Sequence, residues 1–179
     1  MDTLTKTGSK LTQTLSFMTP EQNPNSLVLT VLVPVRNEGV NIKIMLKVLS
    51  GVIEVPHEVL FVYDHPEDNS IEVANSLKDQ FPNTRLIHNQ SGPGIINALR
   101  VGVNDSKGEY VLIFAADEVG PVLAIDDMLE LMNEGCDLVS CTRYAHGGRR
   151  LGGSKIGHML SWLANKLFLY AFKSYLSDC

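Results

Sequence analysis

Three short apolar runs of this chain each end in polar side chains whose types are suited to binding a ligand or a metal ion. The runs are Leu29–Gly39 (LTVLVPVRNEG), Glu58–Ser70 (EVLFVYDHPEDNS) and Glu109–Pro121 (EYVLIFAADEVGP). The polar residues at their ends include Asn37, Asp64 and Asp117. Carboxylate oxygens accept hydrogen bonds from a base or a ribose, and they hold Mg²⁺ or Mn²⁺ together with the phosphates of a substrate. The pattern therefore predicts a nucleotide site built from carboxylates and amides.

The elements that must position these residues alternate between strand and helix patterns. The predicted strands are Val28–Pro34, Glu58–Tyr63, Thr84–His88, Glu109–Phe114 and Asp137–Thr142, and the predicted helices are Asn41–Leu49, Ser70–Gln80, Gly94–Asn104 and Leu123–Asn133. Short, continuously apolar strands are typical of a parallel sheet covered on both faces, and ligands of such sheets bind beyond the carboxyl ends of the strands. We therefore expect an α/β fold with a mainly parallel open sheet, helices on both faces, and Asn37, Asp64 and Asp117 at one pocket rim.

Each carboxylate also has a structural interpretation. Asp64 precedes a turn-forming His-Pro pair, so it either points into the crevice or caps that turn. Asp68 suits the ligand site and the N-cap of the following helix equally. Asp117 and its neighbour Glu118 either hold a cation or supply negative charge to the helix that Pro121 opens.

The chain lacks the fingerprints of two common nucleotide sites. PVRNEG follows the first predicted strand, where a dinucleotide-binding protein would carry GxGxxG, and no GxxxxGK[ST] phosphate loop occurs. Hydride transfer and the commonest route to nucleotide hydrolysis are therefore disfavoured. The SGPG turn at Ser91–Gly94 leads into a predicted helix whose amides are candidates to meet an anion, with a plain loop as the alternative.

Length and composition are those of one globular domain, because 179 residues with 44% hydrophobic content can bury a sizeable core. Residues 1–26 are rich in Thr, Ser, Gln and Asn, which predicts a flexible leader and neither a secretory signal nor a membrane span. The domain is then 27–179. The three cysteines fit no metal-ligand spacing, and we expect free thiols, with Cys136 and Cys141 in the core, in a cytoplasmic protein.

The net charge of −5 is distributed unevenly. From Arg143 onward, Asp178 is the one acidic residue among six basic ones. Arg149 and Arg150 lie in a Gly-rich stretch, which favours a phosphate-bearing ligand or an anionic bilayer surface, whereas the pI near 5.5 argues against nucleic acid. A solvated charged surface explains the lysines of this segment equally well.

Four motifs follow one another in a characteristic order. They are VPVRNE at Val33–Glu38 (compare IPxxNE), FVYDHPEDNS at Phe61–Ser70 (VVDDGSxDxT), Gly94–Pro121 (GxxxAxxxGxxxAxGEYVLxxDADLxxxP) and CTRYAHGG at Cys141–Gly148 (SRYxxGG). Through these motifs the chain, from about Leu29 to its last residue, resembles the family 2 inverting glycosyltransferases of the GT-A fold. Within that family it is most similar to the dolichyl- and polyprenyl-phosphate sugar transferases.

The resemblance implies a role for each matching residue. Asp64 would hold the base of a nucleotide-sugar donor of the GDP-mannose or UDP-glucose type, and Asp117 would bind Mg²⁺ or Mn²⁺ on its diphosphate. The residues that would flank the nucleotide are Pro34, Arg36, Asn37 and Glu38. Arg143 would lie near the donor or acceptor phosphate, and the loop that seats the lipid-phosphate acceptor would contain Arg149, Arg150 and Ser154.

Two departures from the family pattern concern the metal and the base. Ala115 stands where the family has its first metal-site Asp, and Tyr63 replaces the first Asp of DDGS. One carboxylate suffices where the substrate supplies most ligands, so we expect Asp117 to hold the ion. The lipid phosphate oxygen is already an anion, which fits the lack of an evident catalytic base. The chain ends where the resemblance would continue into a TSGF-like motif, which predicts a domain truncated at its C-terminal end.

The last segment, Lys155–Leu176, places its apolar residues on one side of a predicted helix. This pattern fits a protein peripheral to the cytoplasmic face of a membrane, and it fits a core helix equally well. Two rival functions stay open. Ala115 favours a non-catalytic module or inactive fragment that binds a sugar nucleotide, and the α/β pattern with carboxylates is shared with nucleotidyltransferases.

Overall fold

The computed structural model describes residues 26–118, 120–141 and 155–172. Its strands are β1 (Leu29–Val35), β2 (His57–Tyr63), β3 (Thr84–His88) and β4 (Tyr110–Ile113). Its α-helices are α1 (Gly39–Val52), α2 (Asn69–Ser76), α3 (Ile95–Asp105), α4 (Ile125–Asn133) and α5 (Lys155–Phe172), and a 3-10 helix at Gly120–Ala124 precedes α4. Residues 1–25 of the predicted leader lie outside the described ranges.

The four strands form one parallel sheet in the order β3-β2-β1-β4. Val35 at the end of β1 lies opposite Tyr63 at the end of β2, and Tyr63 lies opposite His88 at the end of β3. Leu32 of β1 lies opposite Ile113, the last residue of β4. The carboxyl ends of all four strands therefore meet at one edge, which confirms the predicted parallel sheet.

Side chains of alternate strand residues enter two separate cores. On one face, the apolar side chains of β1 and β2 pack with those of α1 and α4, namely Leu29, Val31, Val33, Val35, Val59 and Phe61 with Ile42, Met45, Leu46, Leu49, Ile125 and Leu129. On the other face, Leu32, Leu60 and Val62 pack against Ala98 of α3. Because both faces are covered, β1 and β2 are apolar along most of their length, as the sequence predicts for parallel strands, with Thr30 and Glu58 as buried polar exceptions near their amino ends.

Helix α2 is shorter than predicted. Its sequence pattern predicts a helix to Gln80, but α2 ends at Ser76 and the chain continues in turns to Phe81. The side chain of Phe81 is buried in the core, and Pro82 follows it. A residue before proline is disfavoured in the helical region, so Phe81 does not continue a helix, and residues 77–80 form turns between α2 and this point.

The predicted strand Asp137–Thr142 is wrong over its described part, because residues 137–141 form no strand. Asp137, Leu138 and Val139 line an apolar groove beside β4 and α4 without joining the sheet. The residue types of this segment are compatible with a strand, but a strand also requires a backbone hydrogen-bond ladder with a partner. Cys136 and Cys141 at the two ends of this segment are exposed, so their predicted place in the core is also wrong.

A buried polar network joins the amino ends of the strands, opposite the predicted site. Glu58, 3% exposed, accepts hydrogen bonds from Thr30 Oγ1 at 2.9 Å, Arg85 Nη1 at 2.8 Å and the Lys107 backbone N–H at 2.9 Å. Arg85 also forms an ion pair with Asp105 at the end of α3. The network therefore ties the α3–β4 turn to three strands of the sheet.

We expect Glu58→Ala to lower the free energy of unfolding by roughly 2–4 kcal/mol, because the substitution leaves buried donors without their acceptor. Urea denaturation followed by circular dichroism measures the loss. Lys107→Ala is the matched control, since the backbone of Lys107, but not its exposed side chain, contacts Glu58; it should change stability by less than about 0.5 kcal/mol. Equal effects of the two substitutions would contradict the network.

Candidate functional site

An open cleft of about 270 Å³ lies at the carboxyl ends of β1 and β2, beside the start of α3. Its lining residues are Pro34, Val35, Arg36, Glu38, Val62, Asp64, Gly94, Ile95 and Ala98. The apolar wall comes from the strands and from α3, and the charged side chains come from the loops after β1 and β2. Five of the residues predicted to bind substrate meet in this cleft: Pro34, Arg36, Glu38, Asp64 and Gly94.

The Asp64 carboxylate is held by one donor on each oxygen. Asn89 Nδ2 donates to Asp64 Oδ1 at 2.7 Å, and the Gly94 backbone N–H donates to Asp64 Oδ2 at 2.8 Å. A carboxylate has about four lone-pair positions, so these two bonds leave acceptor capacity for a ligand. Asp64 thus bridges the end of β3 and the start of α3 at the wall of the cleft.

The pKa of Asp64 is lowered from its ordinary value in spite of a desolvation effect that acts in the opposite direction. Partial burial raises the pKa, but hydrogen bonds from the Gly94 N–H and from Asn89, together with the charges of His65 and Arg36, outweigh that effect and lower it. These contacts stabilise the charged form. Asp64 therefore stays ionised at neutral pH and acts as an acceptor of hydrogen bonds only.

The loop between β1 and α1 is held by three consecutive residues at the start of α2. The Asn37 backbone N–H donates to the Asp68 carboxylate at 3.0 Å, and the backbone N–H groups of Glu38 and Gly39 donate to Ser70 Oγ at 2.9 Å and Asn69 Oδ1 at 3.0 Å. Helices leave their first amides without backbone partners, and these side chains supply acceptors for amides at the start of α1. We call Asp68, Asn69 and Ser70 the α2 clamp.

The α2 clamp determines how the β1–α1 loop enters the cleft. Asn37 has a φ of 60°, a left-handed conformation that is uncommon for a residue with a side chain. Asp68 contacts the amide of this residue with both carboxylate oxygens. Arg36 and Glu38, on either side of Asn37, line the cleft, whereas Asn37 itself is not among the lining residues.

Of the two roles that the sequence allows for Asp68, ligand binding and helix capping, the structure shows helix capping. It is 7% exposed, it is the N-cap of α2, and its Oδ1 accepts the Ser70 backbone N–H at 2.8 Å. It does not line the cleft. Asp68 would therefore affect a ligand only indirectly, by holding the Asn37 amide and with it the β1–α1 loop.

Asp117 lies in an exposed turn after β4, closed by the Glu118 backbone N–H donating to Ala115 O at 3.2 Å. β1 lies between β2 and β4, so the strand ends that carry Asp64 and Asp117 are two strand spacings, or roughly 10 Å, apart. Asp117 is at the same edge of the sheet as Asp64 but not among the residues that line the cleft.

The carboxylate of Asp117 could bind a hard divalent cation only if the phosphates of a bound substrate supplied further oxygen ligands. In the described part of the chain, no three His, Cys, Asp or Glu side chains are placed to hold a metal ion together. Mg²⁺ commonly binds through one or two carboxylates plus substrate phosphates. Asp117 fits that mode, with Glu118 beside it. Arg143, Arg149, Arg150 and Ser154 lie outside the described residues.

Asn89 is a site residue that the sequence motifs did not reveal, although it follows β3 directly at the same edge as Asp64. The strand-end rule that singles out Asp64 applies equally to Asn89. The contribution of Ile95 and Ala98 of α3 to the lining of the cleft was likewise not predicted. Helical periodicity assigns the apolar residues of a helix to the core. Ile95, however, is 58% exposed at the mouth of the cleft.

The chain matches known sequences along most of its length. The profile of the family described as "Glycosyl transferase family 2" matches residues 30–177. The dolichol-phosphate mannosyltransferase of Saccharomyces cerevisiae is 29% identical over 126 residues, which cover 68% of this chain and 47% of that protein. The undecaprenyl-phosphate 4-deoxy-4-formamido-L-arabinose transferase of Yersinia enterocolitica is 25% identical over 119 residues, covering 64% of this chain and 36% of that protein.

Solved structures agree with the predicted fold. Residues 1–349 of S. aureus TarS, crystallised in complex with UDP, superpose with a TM-score of 0.51 and 19% identity, covering 67% of this chain and 40% of that one. This likeness confirms the GT-A fold. The chain spans about a third to a half of the length of the curated relatives it matches.

We expect Asp68→Ala to destabilise the protein by roughly 2–3 kcal/mol, because it removes a helix cap and leaves the Asn37 amide without its acceptor. Thermal or urea denaturation measures the change. Glu67→Ala, at the exposed neighbouring position, is the control and should alter stability by less than about 0.5 kcal/mol. A loss no larger than that of the control would show that the α2 clamp does not hold the loop.

Proposed function

The chain belongs to glycosyl transferase family 2, and from this we propose that it transfers a sugar from a nucleotide-diphosphate sugar to a polyprenyl or dolichyl phosphate, with inversion at the anomeric carbon. The observation that carries the proposal is the Asp64 carboxylate, held ionised by Asn89 and Gly94 at the wall of an open cleft. Its free lone pairs are suited to the N–H or O–H donors of a nucleoside.

The cleft has one feature for each part of a nucleotide. The apolar wall of Pro34, Val62 and Ala98 suits the face of a base, and Asp64 suits its donors or those of the ribose. The guanidinium of Arg36 is exposed in the same cleft and suits a phosphate, because Arg presents several donors in a fixed plane. We propose a donor of the GDP-mannose or UDP-glucose type.

Asp117 is the residue we propose to hold Mg²⁺ or Mn²⁺ at the donor diphosphate. When bound, the ion supplies positive charge that neutralises the leaving diphosphate. The residues of the chain align the donor so that an acceptor oxygen attacks from the face opposite the leaving group. We propose that Arg143 stabilises the charge that develops on the phosphates.

A lipid phosphate is the acceptor that we propose. Two similar proteins carry dolichol phosphate or undecaprenyl phosphate in their names. The oxygen of such an acceptor is already negatively charged and requires no strong general base to remove a proton. Arg149, Arg150 and Ser154 are proposed to seat this phosphate.

Helix α5 supports a location at a membrane surface. Among its described side chains, the exposed large apolar and aromatic ones are Met159, Leu160, Trp162, Leu163, Leu167, Phe168 and Tyr170. Lys166 Nζ lies 5.8 Å from the centre of the Trp162 ring, and an aromatic ring beside a lysine suits the headgroup region. Among the described helices, none has the length and apolar character needed to span a bilayer. We propose a peripheral protein at the cytoplasmic face.

A second candidate function is sugar-nucleotide binding without turnover. Ala115, in the exposed turn after β4, stands where the resemblance places the first metal-site Asp, so Asp117 lacks that second acidic partner. Such a module would bind the donor and release no diphosphate. Turnover with a short polyprenyl phosphate separates the two candidates.

We expect wild-type protein to bind one of UDP-, GDP- or CDP-linked sugars, and Asp64→Ala to weaken that binding about ten- to a hundredfold, because it removes hydrogen bonds to a charged acceptor. Isothermal titration calorimetry measures both affinities. Glu67→Ala is the control on the same loop, outside the cleft, and should bind like wild type. Unchanged affinity in Asp64→Ala would contradict the proposed nucleotide site.

We expect Mn²⁺ or Mg²⁺ to raise the melting temperature of the complex with the donor, and Asp117→Ala to abolish that increase, because the cation loses its carboxylate ligand. A thermal-shift assay with and without EDTA reads the effect. Glu118→Ala tests the neighbouring carboxylate and should keep at least half of the increase. A metal-dependent shift that survives in Asp117→Ala would remove Asp117 from this role.

A further inference from the structure

The side chain of Asn89 lies between the Asp64 carboxylate and the loop that leads into α3. It is 4% exposed, and both hydrogens of its amide have partners: Asp64 Oδ1 at 2.7 Å and Gly92 O at 2.8 Å. Its Oδ1 accepts the Ser91 backbone N–H at 3.0 Å. One buried amide thus fixes a charged side chain and the backbone of the neighbouring loop at the same time.

The loop that Asn89 holds brings a second donor to Asp64. Gly92 and Gly94 have φ values of 97° and 122°, a region in which glycine lacks the steric cost of a side chain. Their conformations turn the chain around Pro93 so that the Gly94 N–H reaches Asp64 Oδ2 at 2.8 Å. Asp64, Asn89, Gly92 and Gly94 therefore form a closed ring of contacts, which we call the Asp64 ring.

We propose that Asn89 is a positioning residue for the nucleotide site: it holds the Asp64 carboxylate in the single orientation in which its free lone pairs face the donor nucleotide. This inference rests on the proposed function. Without the Asn89 amide, the carboxylate keeps only the Gly94 contact and can rotate about its side-chain bonds. Binding of a ligand would then have to fix the orientation of the Asp64 carboxylate, and the entropy lost in doing so weakens binding.

The same contacts bear on the charge of Asp64. Around the carboxylate, the hydrogen bonds from Asn89 and Gly94 and the charges of Arg36 and His65 favour the ionised form. His88 Nε2 lies 3.2 Å from the backbone oxygen of Asp64, and its ring stacks on Tyr63 across the strand pair, 5.1 Å between ring centres. Removal of Asn89 therefore raises the pKa of Asp64 toward its ordinary value while the other groups stay in place.

The loop offers a matched control for a merely structural role. Asn97 Nδ2 donates to Gly92 O at 3.1 Å, the same carbonyl that Asn89 contacts, and no hydrogen bond joins Asn97 to Asp64 among the described residues. Asn97→Ala thus removes a loop contact and leaves the Asp64 contacts intact. If Asn89 only stabilises the loop, both substitutions should act alike.

The test variant is Asn89→Ser, with Asn89→Ala as a second variant. A serine hydroxyl can still accept the Ser91 N–H, as in a serine turn, but it is too short to reach Asp64. The Ser91 contact of the loop is thereby retained, whereas the contact with Asp64 is removed together with the one to Gly92 O; Asn97→Ala controls for the loss at Gly92 O. Circular dichroism and melting temperature confirm folding before binding is measured.

The first measurement needs no ligand. Carbon-13 NMR of the Asp64 carboxyl, titrated in wild type, Asn89→Ser and Asn97→Ala, should give a higher pKa in Asn89→Ser and an unchanged pKa in Asn97→Ala. Equal pKa values in all three proteins would overturn the proposal, because they would show that Asn89 does not act on the carboxylate.

The second measurement uses UDP and GDP as probes. Asn89→Ser should raise the dissociation constant of the bound nucleotide about tenfold, while Asn97→Ala should change it less than threefold. A similar loss in both variants would overturn the positioning role and leave the nucleotide site standing. If wild type bound neither UDP nor GDP although the NMR shift was present, the proposed function would fail and the positioning role with it, so the two failures are distinguishable.

Discussion

The parallel alignment of β1 with β2 and β4 decides where every polar residue of the candidate site lies. Strands that run in one direction end at one edge, so residues far apart in sequence, such as Arg36, Asp64 and Asp117, come to the same edge of the sheet. The alignment itself depends on burial of both faces, since two apolar cores fix the register of the strands. The chemistry of the site is thus a consequence of the core.

Backbone amides at the site are satisfied mainly by side chains from elsewhere in the chain, 30 to 32 residues away in sequence. The α2 clamp, Asp68–Ser70, accepts the amides that begin α1, and Asp64 accepts the amide that begins α3. Each contact satisfies a donor that a helix leaves unpaired and, at the same time, orients a loop at the cleft. Because the same side chains cap helices and orient the loops of the cleft, the sequence alone does not distinguish a capping residue from a ligand-binding residue.

The sequence predicted most of the fold because its signals were strong and local. The limits of β3 agree with the predicted strand, and the limits of α1, α3 and β4 differ from prediction by at most three residues at each end. The residue types at Asp137–Thr142 are compatible with a strand, but strand pairing depends on two segments and cannot be predicted from one of them alone. Helix α2 ends at Ser76 rather than at the predicted Gln80, and the chain reaches the buried Phe81 through turns, an outcome that helical periodicity alone does not specify.

The site was predicted less completely than the fold. The strand-end rule brought Pro34, Arg36, Glu38 and Asp64 together, and the cleft contains all four. The rule did not distinguish a residue that faces the cleft from one that holds a loop, and so Asp68 was left between two roles and Asn89 was overlooked. That distinction depends on the hydrogen-bond partners of buried polar atoms, which composition and periodicity do not specify.

Binding of a nucleotide in the cleft beside Asp64 is the central claim on which the proposed function depends. A crystal structure of the chain with UDP or GDP tests it directly. We predict that the base or the ribose will donate a hydrogen bond to Asp64 and that the ring of the base will pack against Pro34 and Val62. A nucleotide bound elsewhere, with the Asp64 carboxylate still open to solvent, would contradict the account.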